Sequence, residues 1–169
     1  MPILPVARGV YSTGPARNWS IMTEVDNRDR DSAGRARNAR PRDALGRPLQ
    51  YGSLGVERVS EDVTLSPEQA LRQAQRFIDD GYPFHAHEVF EGVWKATTGE
   101  HRALWQGLAQ LAVGLTHLQR GNPKGAVALL RRSADRIDPY AGEFPHGLDV
   151  AGLASQARWL AARIELDNS

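Results

Sequence analysis

The stretch from Phe84 to Gly125 most constrains the fold of this chain, because its apolar residues recur at helical spacing while polar residues interrupt them. The pattern predicts two helices joined by a short turn and the start of a third. The interrupting polar residues are the candidates for chemistry. They are His87, Glu88, Glu91, Gln106, Gln110 and His117.

Start and stop residues divide the chain after residue 65 into about five helices. Ser66, followed by Pro67 and Gln69, is typical of a capped helix start, and Gly81 favours a left-handed helix end. No segment alternates as a strand does, so the predicted fold class is all-α, a compact bundle. The later helices are predicted near 83–97, 102–119, 123–137 and 150–164, with Asn122 and Asp149 as caps.

The first 60 residues lack periodic hydrophobicity, and we predict a long, largely irregular extension at 1–60 and a helical domain at 61–169. The mixed-charge stretch 27–43 buries too little apolar area to offset the entropy of ordering. A phosphate-binding arm is the alternative for its alternating Arg and Asp. Met22 is a candidate true start. Five apolar residues could dock on the domain as an extended strap, namely Leu45, Leu49, Tyr51, Leu54 and Val56.

Composition narrows the functional classes. The chain has no cysteine, which excludes disulfides and thiolate sites and fits a cytoplasmic protein. No apolar run is long enough for a membrane span. Residues 1–60 hold ten Arg against six Asp or Glu, whereas residues 61–169 hold eleven Lys or Arg against fourteen acidic residues. The helical domain is therefore mildly acidic, so we expect no nucleic-acid surface on it. A homodimer and a small-molecule ligand of unknown class remain open.

The third helix carries two stripes at about 100° per residue. Its leucines form the core stripe, and Gln106, Gln110 and His117 form a polar stripe on a different side. Gly107 and Gly114 lie beside the polar stripe, where small residues allow another helix to approach. We predict that the second helix packs there and brings His87 and Glu91 against the polar stripe.

Three linked blocks of residues resemble a known family. The blocks are Phe84-x-x-His87-Glu88-x-x-Glu91-x-x-Trp94, Gln106-Gly107-Leu108-x-Gln110-Leu111-Ala112, and His117 to Asn122 followed by Gly125-Ala126. Over about residues 68–138 they resemble the DUF309 family, small all-helical proteins of unknown function in bacteria and archaea. The resemblance implies a compact helical bundle. Members of the family have been labelled predicted metal-dependent hydrolases. The resemblance implies the same activity for this chain as a hypothesis.

Three interpretations of the polar residues remain open. His87 and Glu91 are one turn apart, and with His117 they could bind Zn, Mn or Fe while Glu88 acts as general base. Alternatively, the same residues form a buried polar network that fixes helix pairing, or they line a metal-free ligand pocket. Four further residues belong to the network or pocket in either case, namely Gln106, Gln110, Arg120 and Trp94.

The remaining aromatic and charged residues receive simpler interpretations. Arg120 lies at a helix C-terminus, where a cation is favoured, and it could also hold a carboxylate such as that of Glu88. Trp94 and Trp105 are expected to be core or rim aromatics. Three histidines are predicted to be solvated, namely His85, His101 and His146.

Overall fold

The computed structural model describes residues 41–50, 52–56 and 64–169, and in these ranges it contains five α-helices and no strand. The prediction of an all-α chain is therefore confirmed. The helices are α1 (Pro67–Asp79), α2 (Pro83–Ala96), α3 (Arg102–Gln119), α4 (Pro123–Ile137) and α5 (Val150–Asp167), with short 3₁₀ turns at Asp138–Tyr140 and Pro145–Gly147. No helix among these residues is long and apolar enough to cross a membrane.

The predicted helix boundaries follow from local hydrogen bonds. Ser66 Oγ accepts from Gln69 N at 3.2 Å, and Gln69 Oε1 accepts from Ser66 N at 2.9 Å, which closes a capping box. Asn122 and Asp149 cap α4 and α5 through the amides of Gly125 and Gly152. Gly81 has φ +85°, a left-handed conformation that ends α1 and favours glycine. These start and stop signals are confirmed.

Each helix packs on the next one along the chain, because the connections are short. The core lies along this series and is centred on α3, which is covered by α2 on one side and α4 on another. Phe90 of α2 and Trp105 of α3 meet with ring centroids 6.2 Å apart. The largest buried apolar side chains are Trp105, Phe90, Leu104, Leu108, Leu111, Leu130, Ile137 and Val150.

The glycines of α3 face α4, so the prediction that they admit α2 is wrong. A Cβ on Gly107 would lie 2.5 Å from Ile137 Cγ2, and one on Gly114 would lie 3.1 Å from Leu130 Cγ. The buried Ser133 hydroxyl donates to the Gly107 carbonyl at 2.8 Å. The close approach therefore serves an apolar contact with one internal hydrogen bond.

Residues 41–50 and 52–56, called the strap here, lie against the helical domain. Arg42 pairs with Pro48 in an isolated bridge, and Asp43 Oδ1 accepts from the amides of Leu45 and Arg47 at 2.9 Å and 2.8 Å. Gly46, at φ +73°, is buried against Phe84 of α2. The turn of the strap is therefore held both by its own hydrogen bonds and by the domain.

The apolar contacts proposed for the strap are only partly present. Val56 is partly buried and packs against the core, but Leu54 is fully exposed, so its predicted docking is wrong. The backbone at Gly46 makes the contact instead. Tyr51, Met22 and the Arg- and Asp-rich stretch up to Arg40 lie outside the described residues, and the boundary between extension and domain stays a prediction.

Candidate functional site

His87 and Glu91 lie together on α2, as their spacing predicts. His87 Nε2 is 3.5 Å from Glu91 Oε2, and Lys95 Nζ is 2.9 Å from Glu91 Oε1. The side chains of His87 and Glu91 are 21% and 33% exposed, so the pair is half-buried. Burial lowers the pKa of His87, and the Glu91 carboxylate opposes this effect in part. The neutral imidazole is therefore favoured.

His117 does not join this pair in the way that a metal site requires. Asn122 Nδ2 donates to His117 Nδ1 at 2.9 Å, at the turn between α3 and α4. In the part of the chain that the structure describes, no three or more His, Cys, Asp or Glu side chains form a group able to hold a metal ion. The predicted convergence of His87, Glu91 and His117 is absent from these residues. Glu88 is half-buried beside His87 in sequence, and a role as general base stays a prediction.

The two glutamines of α3 have different surroundings. Gln106 Oε1 accepts a short hydrogen bond from Arg136 of α4, which corrects the prediction that it faces α2. Gln110 Oε1 is buried and has no hydrogen-bond partner. Within the described ranges, no hydrogen bond joins His87 or Glu91 to the polar stripe of α3. The reason is that α2 and α3 meet through apolar side chains and leave the polar residues beside the contact.

Trp94 and Arg120 mark the two ends of the α2–α3 pair. The Arg102 guanidinium lies 4.9 Å from the centre of a Trp94 ring, whose Nε1 is buried without a partner. At the other end, Arg120 lies 5.7 Å from the Phe84 ring centre and donates from Nε to the Leu45 carbonyl at 2.9 Å. Burial and the nearby charge of Arg47 lower the pKa of Arg120. Arg120 therefore holds the strap against the domain through a hydrogen bond to a backbone carbonyl.

His85 was predicted to be solvated, and this is wrong. Its side chain is only 1% exposed, with its ring centre 5.5 Å from that of Phe77 and 5.9 Å from that of Tyr82. The reason is that α1 and the turn before α2 cover the start of α2. A helical wheel of α2 alone does not show that α1 covers this position.

His101 and His146 form a second cluster that sequence reasoning missed. Their ring centres are 5.7 Å apart, and His146 lies 5.9 Å from the ring of the buried Trp105. His101 Nε2 is 3.5 Å from a Glu143 oxygen, and His146 Nδ1 is 3.2 Å from a Glu68 oxygen. A backbone hydrogen bond and then the bond to His146 lower the pKa of Glu68. Neither histidine belongs to a periodic pattern, so only the folded loops could reveal the pair.

One of the comparisons with known proteins covers the helix that carries His87 and Glu91. Residues 71–129 match the family model described as domain of unknown function, DUF309. The resemblance noted in the sequence is therefore confirmed. The DUF309 match includes His87, Gln110 and His117 but ends before His146. A similar protein of Aquifex aeolicus (strain VF5), described as uncharacterized, is 29% identical over 87 residues.

The match to the Aquifex protein covers 50% of this chain and 26% of the relative, so it spans about a quarter of that protein's length. No solved structure matches the chain. Neither the DUF309 family description nor that of the Aquifex protein assigns an activity.

Proposed function

We propose that the helical domain is a non-catalytic binding module that takes a polar ligand on the α2–α3 polar face. This face is defined by His87 and Trp94 of α2 and Gln110 of α3. His87 and Trp94 are seven residues apart, which places them on one side of α2 at about 100° per residue. Gln110 belongs to the neighbouring helix, which runs antiparallel because its first residue, Arg102, meets Trp94 near the end of α2.

The observation that carries the proposal is that all three residues hold a buried polar atom without a hydrogen-bond partner. The atoms are His87 Nδ1, Trp94 Nε1 and Gln110 Oε1. An unpaired buried polar group costs about 1–3 kcal/mol, so a network that existed only for stability would pair them. A ligand that supplied the missing partners would recover this cost on binding.

The chemistry of the three atoms limits the ligand class. The indole Nε1–H of Trp94 only donates, and Gln110 Oε1 only accepts. His87 Nδ1 accepts or donates according to the tautomer of the neutral ring. A ligand that both donates and accepts hydrogen bonds meets these requirements, and an amide such as a peptide group does so.

Comparing substitutions of two glutamines tests whether the α2–α3 polar face contributes to the stability of the folded protein. Gln110→Leu removes an unpaired oxygen and is expected to raise the free energy of unfolding by about 1 kcal/mol. Gln106→Leu is the matched control one turn away, and it should lower that free energy because Arg136 loses its acceptor. Urea denaturation measures both. A stability loss for Gln110→Leu as large as that for Gln106→Leu would favour a structural network.

Binding is tested by NMR with acetamide as the probe. The chain has four tryptophans, and Trp94→Phe assigns the indole N–H resonance of Trp94. We expect a saturable shift of this resonance during titration, with the other indole signals unchanged. The shift should be absent in His87→Ala/Gln110→Leu. A linear, unsaturable response of all four indoles would contradict the proposal.

The alternative is a metal-dependent hydrolase with His87, Glu91 and His117 as ligands and Glu88 as general base. Elemental analysis distinguishes it from the binding module. If the protein is such a hydrolase, a sample purified without a histidine tag would contain stoichiometric Zn, Mn or Fe. That metal would be lost in His87→Ala. Such a result would replace the binding module by the hydrolase.

A further inference from the structure

We infer that a cavity at the end of the bundle that holds the α2–α3 turn is a second binding site, specific for a small organic cation of the ammonium or amidinium class. The cavity has a volume of about 350 Å³, within the range of roughly 300–1,000 Å³ that small-molecule sites occupy. It is lined by Pro67, Thr97, Thr98, Glu100, His101, Trp105 and His146. None of these residues belongs to the α2–α3 polar face.

Two imidazoles supply ring nitrogens at this cavity. His146 Nδ1 is bonded to a Glu68 oxygen at 3.2 Å, which leaves Nε2 of that ring for a ligand. His101 Nε2 lies 3.5 Å from a Glu143 oxygen, and no hydrogen bond joins these two described groups. Each ring therefore has a nitrogen that can contact a ligand.

The backbone holds His146 in place at a conformational cost. Phe144 and His146 have φ values of 46° and 54°, in the left-handed region that side chains other than glycine rarely adopt. Tyr140 donates to the Glu100 carbonyl and so joins the loop before α5 to the loop before α3. Strain of this kind is concentrated at binding and catalytic sites, where the surrounding structure fixes a side chain.

The charges around the cavity select a cation. Glu100 lines it, and Glu68 and Glu143 lie behind the two imidazoles. Neither Lys nor Arg is among the lining residues. The Trp105 ring packs against His146 and is only 1% exposed, so a cation would contact the carboxylate and the imidazoles and not the indole. An anion would find no fixed positive partner in this lining.

A pair of nearly isosteric probes tests the inference, namely benzamidine, which is a cation, and benzamide, which is neutral. In ¹H–¹³C spectra at pH 8, benzamidine should shift the ring signals of His101 and His146 in a saturable manner. Benzamide should bind at least about tenfold more weakly. Equal binding of the two probes, or no saturation by benzamidine, would overturn the inference.

Variants of the full-length chain test whether benzamidine binds in this cavity. His146→Gln removes one imidazole and should weaken benzamidine binding by about tenfold, as should Glu143→Gln, which removes the carboxylate 3.5 Å from His101 Nε2. His117→Gln lies outside the cavity and should leave the affinity unchanged, with its fold checked by circular dichroism. Undiminished binding in the double variant His101→Gln/His146→Gln would also overturn the inference. Acetamide binding at the α2–α3 polar face is a separate measurement, so the two proposals can fail independently.

Discussion

The five histidines of this chain show how much neighbouring residues decide the chemistry of a single side chain. His85 is enclosed by aromatic rings, whereas His87, two residues later, pairs with a carboxylate at the edge of the same helix. His117 accepts from an asparagine at a helix junction. His101 and His146 lie with their ring centres 5.7 Å apart and line the same cavity. Residue type alone would have treated all five alike.

At the residue scale, His87 should make stability depend on pH. Burial lowers its pKa below the ordinary histidine value of about 6.5, so the unfolded chain binds a proton more readily than the folded one. The stability contributed by the neutral form is present above pH 6.5 and is lost as the pH falls from 6.5 towards the lower folded pKa. His87→Gln should flatten this part of a plot of unfolding free energy against pH.

His117→Gln, at the turn between α3 and α4, is the comparison variant measured alongside. A slope below pH 6.5 that is the same in wild type and His87→Gln would show that His87 is not its source.

At the scale of the element, α3 is the central helix because two sides of it are used for different kinds of packing. Towards α2 it presents Trp105, a large aromatic side chain that fills space. Towards α4 it presents Gly107 and Gly114, where the helices approach closely. In the polar stripe, Gln106 bonds to Arg136 of α4, whereas Gln110 Oε1 has no hydrogen-bond partner. Helix packing and the candidate binding face are therefore separate features of one helix.

Adding a methyl group to the α3–α4 contact should be destabilising. In Gly107→Ala the new Cβ would meet Ile137 Cγ2 at 2.5 Å, and overpacking of this kind costs about 1–3 kcal/mol. Gly92→Ala is the control, since Gly92 is an exposed position within α2 with nothing within 4 Å. It should gain about 0.5–1 kcal/mol from helix propensity. Thermal unfolding of both variants checks the opposite signs.

At the scale of the whole molecule, the strap is a non-helical segment that contacts the start of α2 and the end of α3. Gly46 packs on Phe84 of α2, and Arg120 at the end of α3 donates to Leu45. The Arg42 guanidinium lies 4.7 Å from the Phe84 ring centre and donates to the Gly46 carbonyl at 2.6 Å. Phe84 is therefore the residue around which the strap is ordered.

Detachment of the strap should be detectable by limited proteolysis. In Gly46→Ala the added Cβ would lie 2.0 Å from Phe84 Cγ, so the strap must move away and trypsin should cut faster after Arg42. Gly52→Ala is the matched control, because Gly52 has a similar φ of +80° but nothing within 4 Å. Equal cleavage rates in the two variants would assign the effect to backbone strain instead of the Phe84 contact.

The helices and their caps could be predicted because they depend on residues that are close in sequence. The capping box at Ser66 and the glycine stop at Gly81 need only neighbours within a few positions. The pairing of His87 with Glu91 is equally local, since it lies within one helical turn. The DUF309 resemblance rests on the same short blocks and is confirmed over residues 71–129.

Contacts between helices could not be predicted from these patterns. Periodicity shows that Gly107 lies beside a polar stripe, but it does not say which helix approaches it, and that helix proved to be α4. The same limit applies to His117, which bonds to Asn122 and is not joined to His87 by any described hydrogen bond. His85 appeared exposed for the same reason, because the helix that covers it is separate in sequence.

The sequence by itself determined the five helices, their starts and the side chains that share one helical face, because backbone geometry within a helix is set by local hydrogen bonds. The tertiary structure alone decided which faces meet, how the strap is held and that His101 and His146 share a cavity. Those outcomes depend on packing between residues far apart in the chain, where shape and burial compete over many pairs at once. The buried, unpaired atoms of His87, Trp94 and Gln110 likewise become visible only when their neighbours are in place.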